Sequence, residues 1–478
     1  MRRFALALLL GLAGCAVGPD FERPAAPQGQ GYGADTKMPA GDQHFVEGMD
    51  IPAQWWSLFQ SKKLDDLVER SLKGNPSVDA AKAALRQAHE LYSAQWTAFL
   101  PTVQGNFSQT RAKYSPASIA PPTPNTNPYY SLYTAQLSLS YAPDVFGGTR
   151  RAVEAAQANE EATRYQLEAT YLTLSSNVVV TVIQEASLRA QIGATDRLIE
   201  IEHGLTDAVR KQRAIGTAAD LDLQLQQTTE AQTVALLPPL LKQLAQSRDA
   251  LAALLGQFPA DAQLDEFRLA DLTLPHDLPV SLPSKLIEQR PDIRQAEENL
   301  HQATAEVGVA MANMLPQFAI TGNTGSTALR LGDLFTPNTG FWTLGSSLTQ
   351  TLFDAGALLH KRRAADAAMD QAAAQYRSTV IGAVQNVADA LRALQSDADA
   401  VKADSAAAQS AEAALGIAKR QYGIGTISLV ALLTAETAYQ QAALNLIQAE
   451  ANRYTDTAGL FQALGGGWWN RETAKAGE

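Results

Sequence analysis

The sequence predicts a mainly α-helical chain with a membrane-type β portion, built by internal duplication. Three observations carry that prediction. A unit of about two hundred residues is written twice. Two stretches without proline are long enough for single helices of roughly 100 Å, at 1.5 Å per residue. Four short segments alternate apolar with small polar residues, the period of two that gives a strand two unlike faces.

The chain opens with Arg2 and Arg3 ahead of an apolar run, Phe4 to Leu12. That run cannot span a bilayer as a helix, which takes ~20 residues. A basic start, a brief apolar stretch and small residues before a cut describe a secretory signal over residues 1–14. Cys15 follows as the only cysteine among 478 residues. An exported chain with one bare thiol risks unwanted disulfides, so modification of Cys15 is expected. Leu12-Ala13-Gly14-Cys15 resembles the lipobox of bacterial lipoproteins. That resemblance implies a diacylglycerol on Cys15, a further acyl chain such as palmitate on its amine, and a lipidated extension over 15–45. In such proteins an aspartate after the cysteine signals inner-membrane retention; Ala16 stands there instead and favours the outer membrane. A plain signal peptide with an incidental cysteine is the other reading.

Composition excludes several classes. A formal charge of −11, more negative still without Arg2 and Arg3, argues against a nucleic-acid partner. The six histidines are scattered without zinc-ligand spacing. No nucleotide fingerprint or nucleophile-elbow motif appears, so neither a cofactor nor an enzymatic role is expected. No segment after the signal is long and apolar enough for a membrane helix. Any crossing must be made by strands.

The duplication is read from punctuation. "NPSVDAAKAALRQAHELYSAQWTAFLP" (75–101) answers "RPDIRQAEENLHQATAEVGVAMANMLP" (290–316), each a helix opening on proline and closing on Leu-Pro. "PDVFGGTRR" (143–151) answers "TLFDAGALLHKRR" (351–363). "QRAIGTAADL" (212–221) answers "QYGIGTISLV" (421–430) with an offset of 209, and Gly256 answers Gly465 at the same offset. The first repeat is placed at 46–256, a connector at 257–288, the second repeat at 289–465, and a tail at 466–478.

Strands are expected near 102–113, 132–142, 317–327 and 341–352. In the second, Leu137, Leu139 and Tyr141 oppose Gln136, Ser138 and Ser140; in the fourth, Leu344, Leu348 and Leu352 oppose Thr343, Ser347 and Thr351. Such segments fit barrel strands facing lipid, although a soluble sheet buried on one side shares the pattern. Proline- and asparagine-rich stretches at 115–130 and 330–340 read as exposed loops. Long helices are expected from Gly148 to Ala214 and from Ala357 to Tyr422, the latter crowded with alanine. Pro238-Pro239 should break the first return helix, and the second repeat has no such break. Four strands cannot close a membrane barrel, which needs at least ~8, because open edges leave backbone groups unsatisfied in lipid. Other copies must complete the wall. Two would give the smallest barrel, and three would give twelve strands and room for a lumen.

The duplicated pattern, the Leu-Pro signals before the strands, Phe-Asp-Ala-Gly at 353–356 and the two Gly-Thr turns resemble the outer-membrane efflux protein family (TolC-like). With Cys15 and "VGPDFERPAAP" (17–27), the chain is most similar to its lipoprotein branch, the NodT-type factors. The resemblance implies a homotrimer with a 12-stranded outer-membrane β-barrel, four strands per protomer, continuous with a 12-helix periplasmic α-barrel. It implies a mixed equatorial domain drawn from 46–72, 257–288 and the segment after Leu464. It further implies a passive conduit for small molecules or drugs, fed by a periplasmic adaptor and an inner-membrane pump of the RND type. A type I secretion channel for proteins is the alternative.

The expected sites lie where the long helices turn. Gly216-Thr217 and Gly425-Thr426 end them, and glycine suits a left-handed cap. The resemblance makes these turns the adaptor-docking tips and places a small or hydroxyl residue three after each glycine, here Ala219 and Ser428. Family members often carry an aspartate facing the lumen above the second turn; Thr434 stands at that place, and Glu436 substitutes only if it points inward. The tip is therefore expected to close through Asp220 or Asp222 pairing with Arg213 or Arg420, and through packing at Leu429 and Val430.

Overall fold

The structure, a computed structural model, describes residues 16–26, 32, 43–113, 115 and 129–471. The signal at 1–14, Cys15, most of the 115–130 loop and the end of the tail lie outside the described residues. The chain divides into two compact units: one holds 1–23, 85–162 and 296–376, the other 24–84, 163–295 and 377–478. Neither unit is one copy of the duplication, because each draws on both halves. A half with two strands and one hairpin has an apolar face it cannot bury alone.

The first unit carries the sheet. Strands β2 (Thr102–Lys113), β3 (Tyr129–Tyr141), β5 (Gln317–Ala328) and β6 (Gly340–Thr349) form an antiparallel sheet in the order β2-β3-β5-β6. Its register sorts the side chains onto two faces. Val103 pairs with Leu139, Leu139 with Gly322 and Gly322 with Leu344, so these share one face with Phe107, Leu137, Phe318, Ile320 and Trp342. That face is exposed and apolar. Gln104, Asn106, Ser138, Gln136, Asn323 and Thr343 line the other face, where Asn106 donates to Ser138 Oγ at 3.3 Å and Asn323 to Thr343 Oγ1 at 3.4 Å. Among the described residues, β2 and β6 are paired on one side only.

Two strand limits differ from expectation by three residues, the others by no more than one. β3 begins at Tyr129 because Tyr129 and Tyr130 pair with Lys113 and Ala112. β6 stops at Thr349, opposite Gln317, since Pro316 has no N–H with which to extend the ladder. Leu352 therefore lies beyond the strand, 92% exposed. Asp354 then starts the next helix by accepting from the backbone N–H of Gly356 (2.9 Å) and Leu358 (2.7 Å).

The described N-terminal segment is strapped onto this unit. Val17 N–H donates to the Phe146 carbonyl at 3.0 Å, buried Arg151 reaches Asp20 at 2.5 Å, Arg23 pairs with Glu297, and Phe21 stacks on His301 with centroids 4.4 Å apart.

Helices α2 (Pro76–Trp96) and α7 (Pro291–Ala312) each open on proline, where a missing N–H costs nothing. The long helices α3 (Gly148–Ala214) and α8 (Ala357–Gly423) are both 67 residues. Their return partners are unequal. α9 (Leu429–Ala463) is continuous, whereas the first return is split into α4 (Asp220–Val234) and α5 (Leu237–Leu254), with Pro238 and Pro239 in the first turn of α5.

The second unit has its own core around Trp55, Phe59, Leu64, Val178, Val182, Leu251, Phe267, Leu286 and Phe461. Here β1 (His44–Glu47) pairs in parallel with β4 (Asp277–Val280). Helix α1 (Lys62–Gly74) lies beside the 55–59 turn, Trp55 stacks on Phe461 at 5.6 Å, and helix α6 (Pro283–Gln289) precedes Arg290, which donates to the Ala463 carbonyl at 2.9 Å. Asp50 accepts from Trp469 and Asn470 (3.0 and 2.7 Å). Segments 46–72, 257–288 and the residues after Leu464 thus meet in one unit. No helix among the described residues is long and apolar enough to cross a membrane.

Candidate functional site

The two hairpin turns are built alike. At the first, Gly216 (φ +78°) donates to Arg213 O at 3.0 Å and Thr217 to Gln212 O at 2.9 Å; at the second, Gly425 (φ +75°) donates to Tyr422 O at 2.9 Å and Thr426 to Gln421 O at 2.9 Å. This is the Schellman arrangement, in which the left-handed residue is affordable only as glycine or asparagine. Thr217 and Thr426 each add a hydroxyl bond to the same carbonyl at 3.0 Å. Ala219 and Ser428 then serve as N-caps. Ser428 Oγ accepts from Ala431 N–H at 3.3 Å, whereas Ala219 has no acceptor and Asp222 takes its backbone N–H at 3.0 Å. Ile215 and Ile424 sit at the matching positions, both 76% exposed.

Behind the turns, all four helices contribute to one small core: Val209 from α3, Leu223 from α4, Leu415 and Ala418 from α8, Leu429 and Leu432 from α9. Tyr422 adds a polar link by donating to Gln212 Oε1 at 3.1 Å across the hairpins. Burial, followed by the nearby Asp222 charge, holds its phenol above the usual range.

Of the expected charge pairings at the tip, one is present, Arg213 with Asp220. The two are neighbours in the same hairpin, and both are exposed. Asp222 is engaged as a helix cap. Arg420 has no ion pair among the described residues. No ion pair of these four therefore joins one hairpin to the other. Leu429 is buried in the tip core, leaving Val430 as the exposed apolar residue of the two. Thr434 is exposed and bonds back to the Val430 carbonyl at 2.8 Å. Glu436 points into its own chain's helices and is 2% exposed.

Glu436 belongs to a cluster that the sequence reading did not single out. It faces Glu202 of α3, which is 3% exposed, beside Gln226 of α4, which is 0% exposed. Burial and the neighbouring Glu202 push Glu436 up to about 8, and burial also raises Glu202. Nearby Glu230 is held low by the Thr206 hydroxyl (2.6 Å) and His203 (3.0 Å). The signal was present in the sequence as two acids on apolar stripes. Leu198, Glu202, Thr206 and Val209 share one buried face, and so do Leu429, Leu432 and Glu436. Among the described residues no group of histidine, cysteine or acidic side chains could hold a metal ion.

A two-faced four-stranded sheet joined to two paired helical hairpins defines a class of outer-membrane channel subunits. The chain belongs to the outer membrane efflux protein family, whose model matches residues 67–257 and 282–466. It is 28% identical to the toluene efflux pump outer membrane protein TtgF of Pseudomonas putida over 475 residues, 98% of this chain and 97% of that one. It is 29% identical to outer membrane protein OprJ of Pseudomonas aeruginosa, covering 97% of this chain and 95% of the relative. Among solved structures it superposes on the outer-membrane channel OprN with a TM-score of 0.86 at 28% identity, covering 95% of this chain and all of that one. The open-state MtrE outer membrane channel of Neisseria gonorrhoeae gives a TM-score of 0.83 at 26% identity, covering 95% and 99% of the two chains. The chain is thus an outer-membrane component of an efflux system, and these relatives favour efflux over protein secretion.

Proposed function

We propose that three copies of this chain form a passive conduit that carries small molecules out across the outer membrane. The observation that carries this reading is the sheet: apolar on one face, amide- and hydroxyl-lined on the other, and unpaired along the outer edges of β2 and β6 among the described residues. An unpaired edge in lipid leaves backbone groups unsatisfied, so β6 of one copy pairs with β2 of the next. Three copies close twelve strands around a wet lumen, with the hairpins continuing the wall as a 12-helix barrel in the periplasm. The turns at Gly216-Thr217 and Gly425-Thr426 are the docking tips for a periplasmic adaptor, which joins the conduit to an inner-membrane pump of the RND type. Exposed Ile215, Ile424 and Val430 supply apolar contact there, beside Ala219 and Ser428.

Acylated Cys15 anchors the chain. Support comes from the strap, which lays Ala16 against Gly147, just past the end of β3 and so close to the expected membrane surface. The named cargoes of relatives, toluene for TtgF among them, point to small apolar or drug-like compounds. The chain itself performs no chemistry on them.

Light scattering of the purified protein in detergent tests the assembly and should return the mass of three chains; a monomer would refute the reading. Cysteines at Ala219 and Ser428 should crosslink to the cognate adaptor. Deleting the protein should raise sensitivity to the exported compounds.

A further inference from the structure

Glu202, Gln226 and Glu436 lie just behind the tip core, one step further from the turns. Glu202 is seven residues before Val209 on α3, and Glu436 four residues after Leu432 on α9. The two carboxyl groups therefore come from different hairpins, both buried, and each acts on the ionisation of the other. Gln226 Nε2 donates to Glu202 Oε2 at 2.6 Å and to the Glu202 carbonyl at 3.5 Å. That leaves both carboxyl oxygens of Glu436 and the Oε1 of Gln226 buried without a partner. Two bare carboxylates in such a place are strongly disfavoured, because burial removes their hydration and like charges repel. One added proton resolves the conflict, since a protonated Glu436 donates to Glu202 and the pair carries a single charge.

We propose that Glu202 and Glu436 share one proton that fastens the α3–α4 hairpin to the α8–α9 hairpin, and that its release lets the two hairpins part. Release is a simple ionisation: the O–H bond of one carboxyl breaks, the proton passes to water, and two facing carboxylates remain. The other groups bearing on the pair are Glu230 from α4, which adds negative charge, and Lys419 from α8, which opposes it. Lys419 makes no ion pair with either acid. Glu230 is itself tied to Thr206 and His203 of α3, with Arg210 of the same helix lowering it further.

The sign follows from linkage. A carboxyl held above its ordinary value keeps its proton in the packed state when the separated state would have lost it. The latch is complete below the ordinary carboxyl range and weakens as pH rises, until the proton is lost near 8. Over that window the equilibrium moves toward parted hairpins by up to about tenfold per pH unit in each copy. The effect on conduction rests on the conduit reading; the shared proton does not.

Two measurements on the full-length protein in lipid test it. In Asp397→Asn protein, which lacks the other carboxyl that burial and Asp456 raise into this range, to about 7, the infrared C=O stretch of a protonated carboxyl should disappear between about pH 6 and about pH 9, and should be missing once Glu436→Gln or Glu202→Gln is added. In planar bilayers, open probability should rise about tenfold or more from about pH 6 to about pH 8 and be flat in both variants. Asp397→Asn protein with no carboxyl titration in that range overturns the proposal. So does a pH response that survives in either variant. If a Glu variant fails to assemble, the infrared titration of Asp397→Asn protein decides alone. Protein that never conducts would refute the conduit reading and leave the infrared result to judge the proton.

Discussion

Truncating Leu432 to alanine tests whether the tip is held by its shared core. Leu432 is fully buried and meets side chains from both hairpins. Leu→Ala in a packed interior costs ~2–5 kcal/mol, the lower end applying where the surroundings can collapse. Collapse is possible here, since the core sits beside two turns whose glycines have open space around them. The expected loss is therefore about 2–3 kcal/mol, felt mainly as local opening, or about 30- to 150-fold in the opening equilibrium. Hydrogen exchange at one pH should show this increase at the amides opening α4 and α9, with little change at the sheet. Val430→Ala, two residues away and exposed, is the control and should stay within about 0.5 kcal/mol. Equal exchange in the two variants would refute a core that couples the hairpins.

Other substitutions separate the remaining contributions. Gly425→Ala should destabilise its turn by about 1 kcal/mol and Gly425→Asn by less, because a Cβ meets nothing within 4 Å and only the left-handed backbone resists; exchange at Thr426 reads the difference, and equal losses would count against it. Arg213→Ala should cost no more than ~1 kcal/mol, as its exposed pair with Asp220 lies within one hairpin, whereas Asp222→Ala loses a helix cap and should cost ~0.5–2 kcal/mol. Thermal unfolding of the hairpin region would order them. Asp397 on α8 faces Asp456 on α9, and burial, reinforced by Asp456, pushes it up to about 7 against the pull of Arg453. A raised carboxyl favours the packed state at low pH and loses that contribution as pH rises through about 7. The melting temperature in detergent should accordingly fall between about pH 5 and about pH 8.5. Asp397→Asn should reduce that slope, and an unchanged slope would exclude the pair as its source.

How much could be read from the sequence depends on the range of the interaction. Pro76 and Pro291 mark helix starts, and Gly216 and Gly425 mark helix stops, through forces that act within a few residues. Strand faces were visible because Leu137 and Leu139 must lie together whatever sheet they join. Strand limits were less so: Tyr129 extends β3 only because Lys113 stands opposite, and Pro316 ends a ladder whose other side is Thr349. The acid pair was the least legible. Glu202 and Glu436 are charges on apolar stripes, but their meeting depends on how two helices more than two hundred residues apart in sequence are rotated against each other. The charges that the sequence marks most plainly at the tip, Asp220, Asp222, Arg213 and Arg420, are closer to the turns and more exposed. Arg213 and Asp220 do pair, within their own hairpin.

The distribution of contacts also limits what any partner must do to move the tip. Near the turns, one hairpin is tied to the other by the core around Leu432, by Tyr422 with Gln212, and by the buried acids; the surface ion pair plays no part in that join. A partner shifts this equilibrium only by its differential affinity for the parted state. Ile215, Ile424, Leu221 and Val430 are already exposed in the packed state, so contact with them alone favours neither arrangement. A partner that parts the hairpins must therefore also reach groups that separation uncovers, and the side chains freed first are Leu429 beneath the second turn and, behind it, the acid pair. Ionisation and partner contact would then bias the same step, and a partner should be less needed at high pH. Binding of the proposed adaptor to Glu436→Gln protein should accordingly be weaker at high pH than binding to the wild type, while the two should match at low pH, where both are fully latched.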